Sequence, residues 1–146
     1  MSQTLSMYES VGASAFSKIA CQMAPYFGTI TPEISLLTPG RAEVNVPFRK
    51  EITNHLASVH AIALCNAAEL AGGMMTEVSI PGGARWIPKG MAVEYLAKAK
   101  TAVHAIADGS EIDWESSGDK VVPVEIFDEA GVKVFTARIT MNVKLG

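Results

Sequence analysis

The sequence of 146 residues has little charge, little cysteine and few aromatic rings. Charged side chains make up 18%, below the usual quarter, and 12 basic against 15 acidic residues leave a net charge of −3 with no basic block. Without a cationic face, nucleic-acid binding is not expected. No long hydrophobic run is present either. The longest stretch free of Asp, Glu, Lys and Arg, residues 52–68, contains Thr53, Asn54, His55, Ser58, His60 and Asn66, too polar for a helix facing lipid. The start, MSQTLSMYES, has no positive segment followed by an apolar one, so no signal peptide is expected. Cys21 and Cys65 form no CxxC pair, which suggests reduced thiols in a cytoplasm and no disulfide scaffold. There is no GxSxG, P-loop or GxGxxG, which removes the serine-hydrolase elbow and the nucleotide fingerprints. His55, His60 and His104 have no metal-site spacing, and no cofactor is expected.

What is present is apolar: 49% of the chain is hydrophobic, enough for one substantial core and a single domain over 1–146. In residues 7–24, Tyr8, Val11, Ala15, Phe16, Ile19, Ala20 and Met23 recur at three- and four-residue steps, predicting one amphipathic helix ended by Pro25 and Gly28. Residues 30–37 and 41–46 read as a hairpin with one wet face across Thr38-Pro39-Gly40. Residues 58–73 are apolar on every side with one formal charge, as a buried helix would be; Ser58 can cap it and Gly72-Gly73 can stop it. Residues 91–98, 101–108, 120–128 and 132–144 read as strands. The first pair is joined across Ala99-Lys100, and the last pair by a turn ending in Gly131. Helix, two strands, helix, four strands is not a βαβ order. The expectation is therefore α+β, with an antiparallel sheet curled around the buried helix and a second subunit covering what the sheet leaves open.

Glu69 is the sole carboxylate of that helix. An ionised acid in apolar surroundings is costly unless it is paired, hydrogen-bonded or neutralised, and such acids are enriched at functional sites. The alternative is that it reaches solvent near the helix's C-terminal end. Asn54, His55 and His60 lie at the helix entry. Nine residues separate His60 from Glu69, so the two point to opposite sides, half a turn out of phase. Two antiparallel copies of the helix would bring the start of one beside the Glu69 of the other. Amides near His60 and Ala61 lack intrahelical acceptors and sit at the positive end of the helix dipole, where a developing oxyanion is stabilised. Cys65, with no nearby cation, reads as packing. Arg85, Lys89, Lys98 and Lys100 are candidates for holding phosphates.

Asn54, His60 and Glu69 within NHLASVHAIALCNAAELAGG, followed by MAVEYLAKAK, resemble the hotdog-fold thioesterase superfamily. The similarity is greatest to the phenylacetyl-CoA thioesterase-like branch and its uncharacterised relatives. The resemblance implies a hotdog fold with an extra N-terminal helix, a homodimer or dimer of dimers with sites between subunits, and hydrolysis of an acyl-CoA thioester, coenzyme A entering as part of the substrate. By position, Asn54 is similar to the residue that orients water or thioester. His60 is similar to the histidine opening the motif, Ala61 to the oxyanion-binding amide and Glu69 to the catalytic carboxylate, acting as base or nucleophile. His55, Ile62, Gly73, Arg85, Lys89 and Lys98 are the corresponding substrate-binding candidates. Two departures accompany it. The family's His-Gly-Gly is His60-Ala61-Ile62, and a helper hydroxyl falls near Pro88-Lys89 and is missing. They motivate an alternative, a non-catalytic acyl-CoA or fatty-acyl binding protein; a hotdog dehydratase lacks its surrounding motif.

Overall fold

The computed structural model describes residues 2–146. Its elements, in chain order, are helices α1 (Gln3–Val11) and α2 (Ala13–Met23), a 3-10 segment (Pro25–Ile30), strands β1 (Glu33–Thr38) and β2 (Arg41–Val46), a 3-10 turn (Lys50–Ile52), helix α3 (Ala61–Ser79), and strands β3 (Arg85–Tyr95), β4 (Val103–Asp108), β5 (Gly118–Asp128) and β6 (Lys133–Lys144). The single helix expected over 7–24 is two helices. Gly12, at φ +86°, breaks the run in a conformation that side chains rarely adopt.

The six strands form one antiparallel sheet in the order β1-β2-β4-β5-β6-β3, curled around α3 as a hotdog fold. Strands β2 and β6 alternate as their sequences require. In β6, Phe135, Ala137, Ile139, Met141 and Val143 are buried while Arg138 is exposed; Val134, which alternation would put on the outer face, is also buried, beside the irregular pairing at Ile126/Phe127. The expected strand 91–98 is longer and begins at Arg85. It pairs with β6 and not with β4, so the 91–98 and 101–108 segments are consecutive in sequence but lie apart in the sheet. That crossover places β3 at one edge, bonded on a single side and irregular at Pro88/Gly90.

The other edge, β1, is differently finished. The Ile34 N–H donates to Ser17 Oγ of α2 at 2.8 Å, and the Ile34 carbonyl accepts from the Tyr8 hydroxyl of α1 at 3.0 Å. Burial raises the Tyr8 phenol above its ordinary pKa, with Glu33 adding to the effect. The N-terminal helices thus cover the β1 backbone.

Helix α3 runs beyond the expected stop. Gly72 and Gly73 lie inside it, and their role is close approach. A Cβ at Gly72 would stand 3.2 Å from Ile139 Cδ1 of the sheet, and one at Gly73 3.0 Å from the Trp86 indole. Each helical glycine costs about 1 kcal/mol of propensity, offset here by sheet packing that alanine would disturb. The N-cap is His60 rather than Ser58. The extension adds a second carboxylate to the helix, Glu77, which accepts the Trp86 Nε1–H at 3.0 Å. Among the described residues no helix is long and apolar enough to cross a membrane.

Candidate functional site

The site begins with the turn that leads into α3. Asn54 Oδ1 accepts from the Leu56 N–H (2.9 Å), the Ser58 N–H (3.2 Å) and the Ser58 hydroxyl (3.1 Å). The Asn54 N–H closes the turn onto the Ser58 carbonyl at 2.9 Å, and Ala57 takes a left-handed φ of +58° to do so. Ser58 is buried and serves this turn, not the helix cap. Asn54 is therefore committed through its oxygen, and its amide nitrogen has no partner among the described residues. His55 is exposed in the middle of the turn.

The helix start is sorted amide by amide. The His60 N–H, expected to be free, donates to the Ile52 carbonyl at 2.8 Å. The Ile62 N–H donates to His60 Nδ1 at 3.0 Å. Among the described residues neither the Ala61 N–H nor the Ala63 N–H has an acceptor, so the first turn retains two unsatisfied donors at the positive end of a 19-residue helix, the Ala61 N–H being the one that lines the hollow beside Asn54. Because Nδ1 accepts, the ring presents Nε2–H outward in the neutral tautomer.

The sheet does not enclose α3 completely. Ile62, Cys65 and Glu69, at i, i+3 and i+7, share the face left open, with Ile62 51% exposed. Glu69 is half-buried on this face and, among the described residues, takes no hydrogen bond or ion pair. The expected fully buried acid is thus a partly wet one within a single chain, because the curl of the sheet stops at β3. Tyr95 of β3 borders the same face, its hydroxyl 3.5 Å from Cys65 Sγ; that hydrogen bond, then burial, pushes the phenol pKa up. Cys65, read from sequence as packing, is half-buried at this border.

A hollow of about 290 Å³ lies beside the helix start, lined by Asn54, Ser58, Ala61, Tyr95 and Lys98 among others. Another, of about 250 Å³, lies on the far side of the first turn, between His60, Ile62, Asn66 and Tyr26. The structure therefore brings Asn54, Ala61 and Lys98 together and places His60 and Ile62 next to them. Glu69 is not among them. It stands nine residues along, about 13.5 Å up the axis and half a turn round from His60. Arg85 and Lys89 lie at the opposite end of β3 from Lys98. Lys89 is paired with Asp119 at 3.0 Å, and Asn142 and Lys89 together hold the Asp119 carboxyl below the usual range. Gly73 is buried under Trp86, so a molecule above it meets the indole. Sequence reasoning missed Tyr95 and Trp86; only the crossover that returns β3 along α3 reveals them.

Residues 12–143 match the model of a family described as a domain of unknown function, DUF4442. A structural-genomics crystal structure, target APC5556, is 55% identical, covering 99% of this chain and 97% of that one with a TM-score of 0.91. The thioesterase HI1161 from Haemophilus influenzae is 17% identical over 86% of this chain and 88% of its own, with a TM-score of 0.75. The thioesterase SAV0944 from Staphylococcus aureus is 16% identical over 82% of this chain and 98% of its own, with a TM-score of 0.71. It was crystallised with a glutamine replaced by alanine and, separately, with a glutamate fifteen positions later replaced by alanine. At such identities the likeness to these two thioesterases is one of fold. No curated protein matches the chain.

Proposed function

The chain belongs to the DUF4442 family and has thioesterases among its structural neighbours, and from that premise we propose that it hydrolyses acyl-CoA thioesters at a site completed by a second copy of itself. The observation that carries this reading is the division of the machinery along α3. The Ala61 N–H, the Asn54 amide and the His60 Nε2–H gather at the helix start, while the unpaired Glu69 lies half a turn away on the open face. One chain cannot bring them to one carbonyl; two antiparallel copies of α3 can. The free β3 edge, with Ile87 62%, Met91 38% and Tyr95 53% exposed, supports pairing through this side.

In the chemistry this assigns, the thioester oxygen accepts the Ala61 N–H, which stabilises the oxyanion. The Asn54 amide nitrogen and His60 Nε2–H orient the carbonyl or the attacking water. Glu69 of the opposite copy removes a proton from water as the water oxygen bonds to the acyl carbon, or attacks that carbon directly. The C–S bond then breaks and the sulfur takes up a proton, so coenzyme A thiol leaves; the acid leaves with it when water attacked, and after direct attack it leaves only when a water hydrolyses the acyl–Glu69 anhydride. The spacing of Asn54 and Glu69 equals that of the two positions altered in the Staphylococcus aureus thioesterase. The chain's cytoplasmic location and its assembly as a dimer or a dimer of dimers belong to the same proposal.

A thiol-release assay over a panel of acyl-CoAs tests it. Glu69→Gln is expected to lower kcat by about 10²- to 10⁴-fold with an unchanged circular dichroism spectrum. A single turnover in H2(18)O identifies direct attack when label enters the Glu69 carboxylate and not the product acid, water having opened the anhydride at the Glu69 carbonyl; general-base attack labels the acid and leaves Glu69 unlabelled. Full activity in Glu69→Gln, or no turnover of any acyl-CoA, overturns the proposal. The second reading, binding without turnover, is favoured by one observation: Ile62, 51% exposed, places its branched side chain at the helix start, at the position of a glycine in the hotdog thioesterase motif that the sequence resembles. It predicts saturable acyl-CoA binding with no thiol release.

A further inference from the structure

A third hollow, of about 540 Å³, opens where α1 and α2 cross the C-terminal half of α3, within the range of small-molecule sites. Its walls are apolar: Phe16, Ile19, Met23, Phe27, Leu70 and Met74. Glu77 is the one carboxylate on its lining, and that group is turned to the Trp86 indole, which donates to it at 3.0 Å. No cation lines the hollow, and Gln3 and Thr4 are its neutral polar side chains, so it suits a hydrocarbon better than a phosphate or a free carboxylate. Met7 and Met23 are 42% and 81% exposed, and Met23 is on the lining; unbranched thioethers of this kind adapt to chains of differing length. The hollow adjoins the face that carries Glu69: Trp86 of its wall lies over Gly73, one turn along α3 from Glu69. Leu70 of its wall directly follows Glu69, about 100° round the same helix.

We infer that this hollow is the slot for the acyl chain, and that the α1–α2 pair is its wall and the element that sets chain length. The inference rests on reading Glu69 as the hydrolytic centre. The charged coenzyme stays outside, the thioester carbon sits at Glu69, and an aliphatic chain of medium length runs on between Phe27, Leu70 and Met74 toward Trp86. Met75, next to Met74 in the chain, is fully buried with its tip close to Gly109 and belongs to the core, not to the slot.

The test is the dependence of kcat/KM on chain length in straight-chain acyl-CoAs from two to sixteen carbons. Wild type is expected to gain about four-fold per methylene until the slot is full. Ala20→Trp, which fills the slot from α2, is expected to lower the ten-carbon to four-carbon ratio at least ten-fold, and Met74→Ala to move the optimum to longer chains. A flat wild-type profile, or variants that leave that ratio unchanged, overturns the slot while thioester hydrolysis stands. A second measurement needs no turnover. The neutral probe N-phenyl-1-naphthylamine is expected to fluoresce with wild type and with Glu69→Gln, to be displaced by 1-decanol, and to lose its site in Ala20→Trp. That result with no hydrolysis of any acyl-CoA keeps the slot and overturns the hydrolytic reading. No decanol-displaceable probe binding to folded wild type overturns the slot.

Discussion

At the scale of single residues, Asn54 shows how one side chain serves fold and chemistry through different atoms. Its oxygen receives three donors and holds the turn; its nitrogen has no partner among the described residues. Removing the oxygen strands donors that include the buried Ser58, a loss of about 1–3 kcal/mol. Asn54→Ala is therefore expected to lower both the melting temperature and kcat. Asn54→Asp retains the acceptor and loses the N–H, so it is expected to recover most of the stability in thermal unfolding and little of the turnover. Recovery of both would reduce Asn54 to a prop for the turn. The opposition of His60 and Glu69 is legible in sequence because nine residues fix their phase on a helix, and Asn54 joins them there through the family resemblance. The division of labour within Asn54 is not, because it depends on a five-residue turn with Ala57 in a left-handed conformation that no local pattern announces.

At the scale of elements, both edges of the sequence reading met tertiary packing. The all-round apolar pattern identifies α3 as central, and the period-two split of β6 identifies a half-buried strand; both depend only on which face is wet. The end of α3 is misread, since Gly72-Gly73 is a stop signal in isolation and a close-approach surface once Ile139 and Trp86 lie against it. The partner of β3 is equally invisible locally, because adjacency in the chain favours β4 and the sheet chooses β6. On β2 and β4 the packing also orders charge. Arg41 binds Glu43 at 2.8 Å and His104 binds it at 2.7 Å, and together, with Arg41 the larger influence, they hold the Glu43 carboxyl below its usual range. The folded chain thus binds that proton more weakly than the unfolded one. The stability this contributes is present above the ordinary glutamate range and is lost as pH falls through the lowered value. E43Q is expected to lower the melting temperature at pH 7 by no more than about 2–4 °C, the scale of a partly exposed pair. The gap from wild type is expected to close as the pH of the melt approaches 3; a gap that widens instead would contradict the assignment.

At the scale of the whole molecule, the curl of the sheet decides what a second copy must do. It leaves open the stripe Ile62-Cys65-Glu69 and the β3 edge beside it, and the hydrolytic reading needs both covered at once. Mass action then ties turnover to assembly, so specific activity is expected to fall on dilution in step with the dimer fraction measured by sedimentation. Activity carried by a monomer would separate the two.

The hydroxyls of Ser17 and Tyr8 on the Ile34 backbone have a consequence for growth. A ribbon with two bare margins can lengthen without limit, one molecule adding to the next. Here one margin is sealed by its own chain, so a twofold pairing at the other exhausts the supply of vacant backbone and polymerisation terminates at the first step. Unsealing it with Ser17→Ala and Tyr8→Phe together should turn a finite particle into one that thickens with concentration, visible as rising light scattering and thioflavin fluorescence.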